Sequence, residues 1–293
     1  MRGTLRAGVI GAGAFGGRHA AKYAAMEGVA LAAVLDSHPE RAALLAERFG
    51  AAARGDIESF LGAVDVVSVA APAASHARLA LACLAAGKPT YVEKPLALEL
   101  DDADAIVAQA ARQGLVLACG FQERVLIESV GLGALRRPLR LETRRAGPPT
   151  TRGLDVSVVL DLMSHDLDLA LALGAGEPLA VEAEGSADEA RAEIVFGTGL
   201  VANFAASRVA GTKERRLRLV YPAGEVELDL VANTVSGFAG AGLSASAPED
   251  RLQASLQAFV AAVRGERDRP LATGEDGARA LDLALAVEHA LGR

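Results

Sequence analysis

The sequence is poor in aromatic residues, which make up 4% of its 293 residues, and it has no tryptophan. Hydrophobic residues still make up 51%, so we expect cores of mostly Ala, Leu and Val in a chain long enough for two domains. No apolar run could span a bilayer without a charge or a Gly or Pro break. The first apolar run is short and leads directly into a glycine-rich turn. We therefore expect neither a signal peptide nor a membrane partner.

Cysteine and positive charge are also scarce. Cys83 and Cys119 are the only cysteines, too few for a disulfide framework and without the spacing of metal ligands. Both lie in apolar contexts, so we expect buried thiols, a cytoplasmic protein and no metal. The formal net charge is −7, whereas nonspecific nucleic-acid binding needs a basic face. We therefore expect no nucleic-acid partner.

Two stretches are nevertheless locally basic. Residues 119–152 contain seven arginines and three glutamates, and Arg124, Arg144 and Arg145 are among the arginines. A second cluster lies at residues 213–218. Basic stretches in an acidic protein favour a local anionic ligand, such as a phosphate or carboxylate, although a solvated edge with mixed charges gives the same pattern.

The first part of the chain is organised around a glycine-rich turn. A short apolar run, residues 7–10, precedes glycines at G-x-G-x-x-G spacing, and a helix is predicted after them. In a dinucleotide-binding turn the first glycine allows the tight turn, the second lets the backbone approach a pyrophosphate, and the third lets the helix pack on the sheet. The helix N-terminus would face the phosphates. The turn residues expected to contact the cofactor are Gly11, Gly13, Ala14, Phe15 and Gly16.

Asp36 ends the next predicted strand, 20 residues beyond Gly16. A dinucleotide fold places a carboxylate there for the adenosine ribose hydroxyls. Because that carboxylate would repel a 2′-phosphate, NAD is favoured over NADP. The alternative is that Asp36 caps the helix predicted from Pro39.

Strands and helices then alternate to about residue 119. Ligands of open α/β sheets bind outside the carboxyl ends of the strands, so the residues that follow two predicted strands should face the cofactor. The alternation predicts an α/β Rossmann fold, a doubly wound parallel sheet over residues 1–119. The expected further cofactor contacts are Ala71, Pro72, His76, Glu93, Lys94 and Pro95.

The pattern of the second half is different. Short strands separated by hairpin turns predict a second, sheet-based α+β domain over residues 120–293, with mostly antiparallel strands. A helix predicted over residues 155–173 carries Asp161 and His165, four positions apart and therefore on one face. His165 followed by Asp166 is also compatible with a metal hydrolase, but that chemistry needs further ligands, and the remaining histidines form no such cluster.

These motifs together resemble a known family. They are GAGAFGGRH near the start, the loop of Pro72 and His76, AGKPTYVEKPLA over residues 86–97, and D-x-x-x-H over residues 161–165. Over nearly its whole length the chain resembles the glucose–fructose oxidoreductase, inositol dehydrogenase and rhizopine-catabolism (Gfo/Idh/MocA) family of NAD(P)-dependent oxidoreductases. The resemblance implies an open-faced sheet in the second domain, whose exposed apolar surface would favour a homodimer or homotetramer. It also implies a nicotinamide near Lys94 and Pro95, with Lys94, Asp161 and His165 around the reacting carbon. Met163 stands where the family often has glycine.

A narrower resemblance concerns the substrate. Segments GFQER (residues 120–124), RAGPP (145–149), ASR (206–208) and YPAGEVELD (221–229) are similar to bacterial UDP-N-acetylglucosamine 3-dehydrogenases, a subgroup that oxidises the sugar 3-hydroxyl in lipid A biosynthesis. This implies a nucleotide-sugar substrate. Arginine forks suit a diphosphate, and the expected substrate contacts are Arg124, Arg144, Arg145, Asp161 and His165.

Oxidation of a secondary alcohol needs a group that takes the hydroxyl proton while hydride leaves carbon. We assign the base to His165, with Asp161 orienting the site and Lys94 stabilising developing negative charge on oxygen. Lys94 could instead accept the proton if burial depresses its pKa. Two other functions fit the same fold: a free sugar or inositol dehydrogenase, and a non-catalytic NAD sensor.

Overall fold

The computed structural model describes residues 3–149, 156–238 and 241–292. The described chain contains thirteen strands: β1 (Leu5–Ile10), β2 (Val29–Leu35), β3 (Ala52–Arg54), β4 (Val66–Val69), β5 (Thr90–Val92), β6 (Leu117–Cys119), β7 (Arg140–Ala146), β8 (Pro178–Gly185), β9 (Glu189–Phe196), β10 (Val201–Ser207), β11 (Glu214–Tyr221), β12 (Gly224–Asp229) and β13 (Thr234–Ser236). Its α-helices are α1 (Ala14–Ala24), α2 (Pro39–Phe49), α3 (Ile57–Ala63), α4 (His76–Ala85), α5 (Leu100–Gln113), α6 (Val125–Ser129), α7 (Ser164–Ala172), α8 (Arg251–Val263) and α9 (Gly274–Ala290). None of these helices is long and apolar enough to cross a membrane.

The first six strands form one sheet in the order β3-β2-β1-β4-β5-β6. Every pair of neighbours in it is parallel. This is the doubly wound Rossmann order, with the reversal of strand order between β1 and β4. The predicted Rossmann sheet is therefore confirmed. The short strand β3 was not predicted, because three residues carry too little pattern to be recognised.

The chain forms two compact units, residues 1–122 with 252–278, and residues 123–251 with 279–293. This division differs from the predicted one in two respects: the boundary falls at residue 122 rather than 119, and a late segment belongs to the first unit. Its helix α8 contributes Leu252, Leu256 and Phe259 to the core beneath the parallel sheet. Phe259 packs edge-on against Tyr91, with ring centroids 5.8 Å apart. The apolar stripe of α8 predicts a buried face, but not which sheet covers it.

The second unit is built on a seven-stranded sheet in the order β13-β12-β11-β7-β10-β9-β8. Its pairs are antiparallel except for β7 with β10, which confirms the predicted mostly antiparallel sheet. Alternate strand residues turn inward to a core shared with α7 and α9. Inward-facing side chains from four strands include Leu141, Ile194, Phe204 and Leu217.

The opposite face of this sheet is charged, contrary to the expected apolar surface. Arg218 forms ion pairs there with Glu142, at 2.9 Å, and with Glu225, at 2.7 Å. Arg144 pairs with Glu214 at 2.7 Å. Alternation in each strand sends the apolar residues to the core and leaves arginines and glutamates outside. Apolar exposure therefore gives no reason for association through this face.

The segment with the D-x-x-x-H motif begins differently from the predicted helix. Residues 150–155 lie outside the described residues, so the predicted start at Asp155 is not covered. Val159–Met163 is π-helical, and α7 follows from Ser164. Asp161 lies in the π-helical turn and His165 in α7. The expected shared face assumed α-helical geometry throughout, which this turn does not have.

Candidate active site

The glycine turn lies between β1 and α1, and two of its glycines are required by space. Gly11 has a φ of +100°, and a Cβ there would lie 2.5 Å from the Ala70 carbonyl oxygen. A Cβ on Gly16 would lie 1.6 Å from the Gly11 carbonyl oxygen. A Cβ on Gly13 would meet no protein atom within 4 Å, so the protein alone does not explain this glycine. The open space lies at the start of α1, whose cap residue Gly13 provides no side-chain hydrogen bond, and a pyrophosphate fits such a site.

Asp36 is held by backbone amides. Its Oδ2 accepts a hydrogen bond from the Ala12 N–H at 2.6 Å, and its Oδ1 accepts one from the His38 N–H at 2.8 Å. Burial raises the pKa of Asp36, but these hydrogen bonds outweigh it, and the net pKa lies below the usual value. The residue that caps α2 is His38, so the alternative role of Asp36 as that cap is wrong. An ionised carboxylate fixed beside the glycine turn suits the ribose hydroxyls of NAD.

His76 joins two of the predicted cofactor loops. Its Nδ1 lies 2.7 Å from the Pro95 carbonyl oxygen, and its Nε2 lies 2.9 Å from that of Ala71. Its side chain is buried at the start of α4. His76 therefore fixes the loop after β4 against the loop after β5, which carries Lys94 and Pro95.

Glu93 takes part in a buried polar network that the sequence analysis did not find. Its Oε1 lies 2.9 Å from His19 Nε2. His19 Nδ1 is 3.0 Å from the Ser68 hydroxyl, which also contacts Tyr23. Burial raises the pKa of Glu93, but the contact with His19 outweighs it and the net pKa is lowered. The partners come from two elements distant in sequence from Glu93, α1 and β4, and only the polar His19 on an apolar helix face could have indicated them.

In the second unit His165 lies against a carboxylate. Its Nδ1 is 2.8 Å from Oε2 of Glu123, and the two side chains are 15% and 12% exposed. The other oxygen of Glu123, Oε1, accepts a hydrogen bond from Arg145 Nη1 at 2.9 Å. Arg145 also donates to Asp166 through Nε and Nη2. The sequence analysis named His165 and Arg145 but missed Glu123, which connects them.

The charged side chains of this cluster are buried. Burial raises the pKa of Glu123, but His165 and Arg145 outweigh it and hold the net pKa well below the usual range. Burial lowers the pKa of Arg145, and Asp166 and Glu123 more than reverse this. Buried charges persist only when paired and hydrogen-bonded, and Arg145 is hydrogen-bonded to both Glu123 and Asp166.

The three arginines predicted to contact substrate do not share one site. Arg124 is buried and donates to both oxygens of Asp168. Arg144 and Arg145 are consecutive in β7, so their side chains point to opposite faces of the sheet, and Arg144 pairs with Glu214 on the charged face. The three arginines are close together in the sequence, but each pairs with a carboxylate elsewhere in the chain. The sequence pattern does not show those partners.

A different arginine lies beside the cluster on its side of the sheet. Arg215 of β11 is directly opposite Arg145 of β7 in the antiparallel register. Its Nη1 donates to the backbone oxygens of Ala146 and Glu214, and the described part of the chain offers it no carboxylate partner within ion-pair distance. Burial and the charge of Arg145 lower the pKa of Arg215. The carboxylates of Asp166, Glu123 and Asp161 offset this in part, and an anion beside Arg215 would offset it further.

Comparisons with known proteins agree with this fold. Residues 5–121 match the Gfo/Idh/MocA oxidoreductase family, described by its NAD-binding Rossmann fold. The UDP-N-acetylglucosamine 3-dehydrogenase of Acidithiobacillus ferrooxidans is 36% identical over 98% of this chain and 97% of its own length. A solved structure of that enzyme superposes with a TM-score of 0.91, covering 99% of this chain and 98% of that one.

More distant relatives share the same organisation. The myo-inositol 2-dehydrogenase of Thermotoga maritima is 28% identical over 98% of this chain and 96% of its own length. The structure of GenD2 from gentamicin A biosynthesis, in complex with NAD, is 26% identical with a TM-score of 0.82, covering 100% of this chain and 96% of that one. These similarities, with a glycine turn and Asp36 that fit NAD, lead to one conclusion. The chain belongs to the Gfo/Idh/MocA family of oxidoreductases and is an NAD-binding dehydrogenase.

Proposed function

We propose that the protein oxidises a secondary hydroxyl of a nucleotide sugar, with UDP-N-acetylglucosamine, oxidised at its 3-hydroxyl, as the first candidate. The observation that carries the proposal is the 36% identity to a UDP-N-acetylglucosamine 3-dehydrogenase over almost the full length of both chains. The lowered pKa of Arg215, which lies opposite Arg145 next to the cluster that holds His165, supports an anionic substrate.

NAD, when bound, accepts the hydride that leaves the substrate carbon. We assign removal of the hydroxyl proton to His165, because a neutral imidazole is a suitable base near neutral pH. Lys94 donates a hydrogen bond to the same oxygen and stabilises the negative charge that develops on it. Asp161 orients the substrate. These are proposed roles, and each rests on the family motif that the residue matches.

The cofactor contacts follow the glycine turn. The backbone N–H groups of Ala14, Phe15 and Gly16 are proposed to bind the pyrophosphate over Gly13, and Asp36 the adenosine ribose. His76 keeps Ala71, Pro72 and Pro95 in place through its two carbonyl contacts. Glu93 supports the same strand end through His19, so its proposed role is to position Lys94 rather than to bind NAD directly.

A second candidate is oxidation of a free polyol, favoured by the full-length similarity to a myo-inositol 2-dehydrogenase. The two candidates differ in their need for an anionic group. NADH formation is measured with UDP-N-acetylglucosamine, free N-acetylglucosamine, glucose and myo-inositol. Turnover of the nucleotide sugar alone supports the first candidate, whereas turnover of myo-inositol supports the second. NAD binding without turnover of any of them supports the sensor function instead.

We also propose that the enzyme is cytoplasmic. Cys83 and Cys119 are buried thiols with no disulfide between them, which suits the reducing cytoplasm.

A homodimer or homotetramer is proposed through the charged face of the seven-stranded sheet, where arginine and glutamate alternate and a second copy would offer complementary charges. Size measurement in low and high salt tests this, because association through ion pairs weakens as salt rises.

A further inference from the structure

Glu123 makes two contacts that point in different directions. One carboxylate oxygen lies 2.8 Å from Nδ1 of His165, and the other accepts a hydrogen bond from Arg145. Arg145 in turn is bound to Asp166, the residue that follows His165 in the chain. Three side-chain contacts therefore link His165, Glu123, Arg145 and Asp166 in that order, and the peptide bond between His165 and Asp166 closes the ring.

The charge state of Glu123 decides what it can do for the imidazole. An ionised carboxylate only accepts hydrogen bonds, and Arg145 stabilises the ionised form. The approach of 2.8 Å lies outside hydrogen-bond geometry, but a bare lone pair on the ring nitrogen would repel the carboxylate. The ring nitrogen that faces Glu123 must therefore carry a proton. In a neutral imidazole this leaves the lone pair on Nε2.

We infer that Glu123 is a positioning residue that holds His165 in its Nδ1–H tautomer and presents Nε2 as the basic nitrogen. If the proposed dehydrogenase function is correct, Nε2 is the atom that takes the substrate proton, and Glu123 stabilises the imidazolium that forms. The inference rests on the proposed function only for this last step. The tautomer itself is a property of the protein without substrate.

The rest of the ring explains why Glu123 stays in place. A buried carboxylate that faced only a neutral imidazole would be costly and would tend to protonate. Arg145 supplies the compensating charge, and Asp166 holds both Nε and Nη2 of that guanidinium. An aspartate at position 123 is one methylene shorter and could not reach both His165 and Arg145 without movement of the backbone.

Three variants separate the contributions of Glu123. Glu123→Gln keeps the shape and an acceptor oxygen but removes the charge. Glu123→Leu keeps approximate size and removes the acceptor. Glu142→Leu is the matched control, because Glu142 also pairs with an arginine from a strand of the same sheet, Arg218, but on the charged face.

The direct test is long-range ¹H–¹⁵N NMR of histidine-labelled protein, which reports which ring nitrogen carries the proton in the neutral imidazole. The signal of His165 is assigned by its loss in His165→Asn. We expect the Nδ1–H tautomer in wild type and Glu142→Leu, and a shift towards Nε2–H in Glu123→Leu and in Glu123→Gln, whose amide oxygen turns to Arg145 and whose NH2 group then faces the imidazole. An Nε2–H tautomer in the wild type would overturn the inference, as would an unchanged tautomer in Glu123→Leu.

Turnover provides the second readout. We expect kcat to fall about 10–100-fold in both Glu123→Leu and Glu123→Gln, the range found for groups that orient a metal-ligating imidazole, with the NAD dissociation constant unchanged. An unchanged kcat in Glu123→Leu would overturn the role in catalysis. If no substrate is turned over, the proposed function fails, but the wild-type NMR result still decides the tautomer. The wild type alone is sufficient for this if Glu123→Leu does not fold.

Discussion

The chemistry at the residue scale depends on pairs that are distant in sequence. Glu123 and Arg145 are 22 residues apart, and Arg124 and Asp168 are 44 apart. Each pair is buried, so removing one partner leaves a charge without compensation. The residues of the reactive cluster are therefore constrained by stability as well as by their proposed roles.

Glu123→Gln should change stability in a pH-dependent way. Because Arg145 and His165 hold the pKa of Glu123 well below its ordinary 4.5, the ionised side chain contributes stability above that pH. We expect the variant to be less stable by about 1–3 kcal/mol at pH 7. The difference from wild type should decrease as the pH falls below about 4.5, because protonation of the unfolded chain then removes the contribution.

Urea unfolding at several pH values measures this difference. Glu142→Gln is the control, because it removes an exposed pair that contributes little. A Glu123→Gln deficit that stays constant or grows between pH 5 and pH 3 would contradict the ionised state proposed for Glu123.

Arg215 offers a second prediction at this scale. Arg215→Leu removes the cation beside Arg145, whereas Arg216→Leu removes its neighbour on the opposite face, whose side chain is 67% exposed. We expect the first variant to raise KM for the nucleotide sugar about tenfold or more, the loss of one charge-assisted contact, and the second to leave it unchanged. Steady-state kinetics at saturating NAD measures both. Equal KM values in the two variants would remove Arg215 from the substrate site.

At the scale of elements, local signals were predicted well and long-range ones were not. The G-x-G-x-x-G spacing, the preceding strand and the following helix are all encoded within about twenty residues, and the structure contains them as expected. The π-helical turn at Val159–Met163 has no such signature. The pairing of Glu123 with His165 could not be predicted either, because it depends on how separate elements pack.

Substitutions in the glycine turn can distinguish an effect on the stability of the fold from an effect on NAD binding. Gly16→Ala places a Cβ against the Gly11 carbonyl, so it should lower both stability and NAD affinity. Gly13→Ala meets open space, and its φ of −74° suits alanine. We expect Gly13→Ala to melt within a few degrees of wild type and to bind NAD at least about tenfold more weakly.

Thermal unfolding and calorimetric titration of NAD measure these two effects. Gly17→Ala is the matched control, since its Cβ would make ordinary contact with Leu45, 3.8 Å away. Wild-type NAD affinity in Gly13→Ala would show that the pyrophosphate does not pass over this glycine.

At the scale of the whole molecule, the sequence predicted the fold class and the family but not the path of the chain. The β-α-β alternation identified the parallel sheet, and the hairpins identified the second one. The return of residues 252–278 to the first unit was missed, because an amphipathic helix indicates that one face is buried and not which core receives it. The polarity of the outer sheet face was also misjudged, although its alternating arginines and glutamates are visible in β9, β11 and β12.

We propose that this NAD-binding dehydrogenase oxidises a nucleotide sugar with His165 as the base. The most direct measurement is NADH formation from UDP-N-acetylglucosamine by the wild type, His165→Asn and His289→Asn. His289 is an exposed histidine in the last turn of α9 and serves as the control. We expect turnover by the wild type and His289→Asn, and a loss of about 10²–10⁴-fold in His165→Asn. Wild-type turnover in His165→Asn would contradict the account.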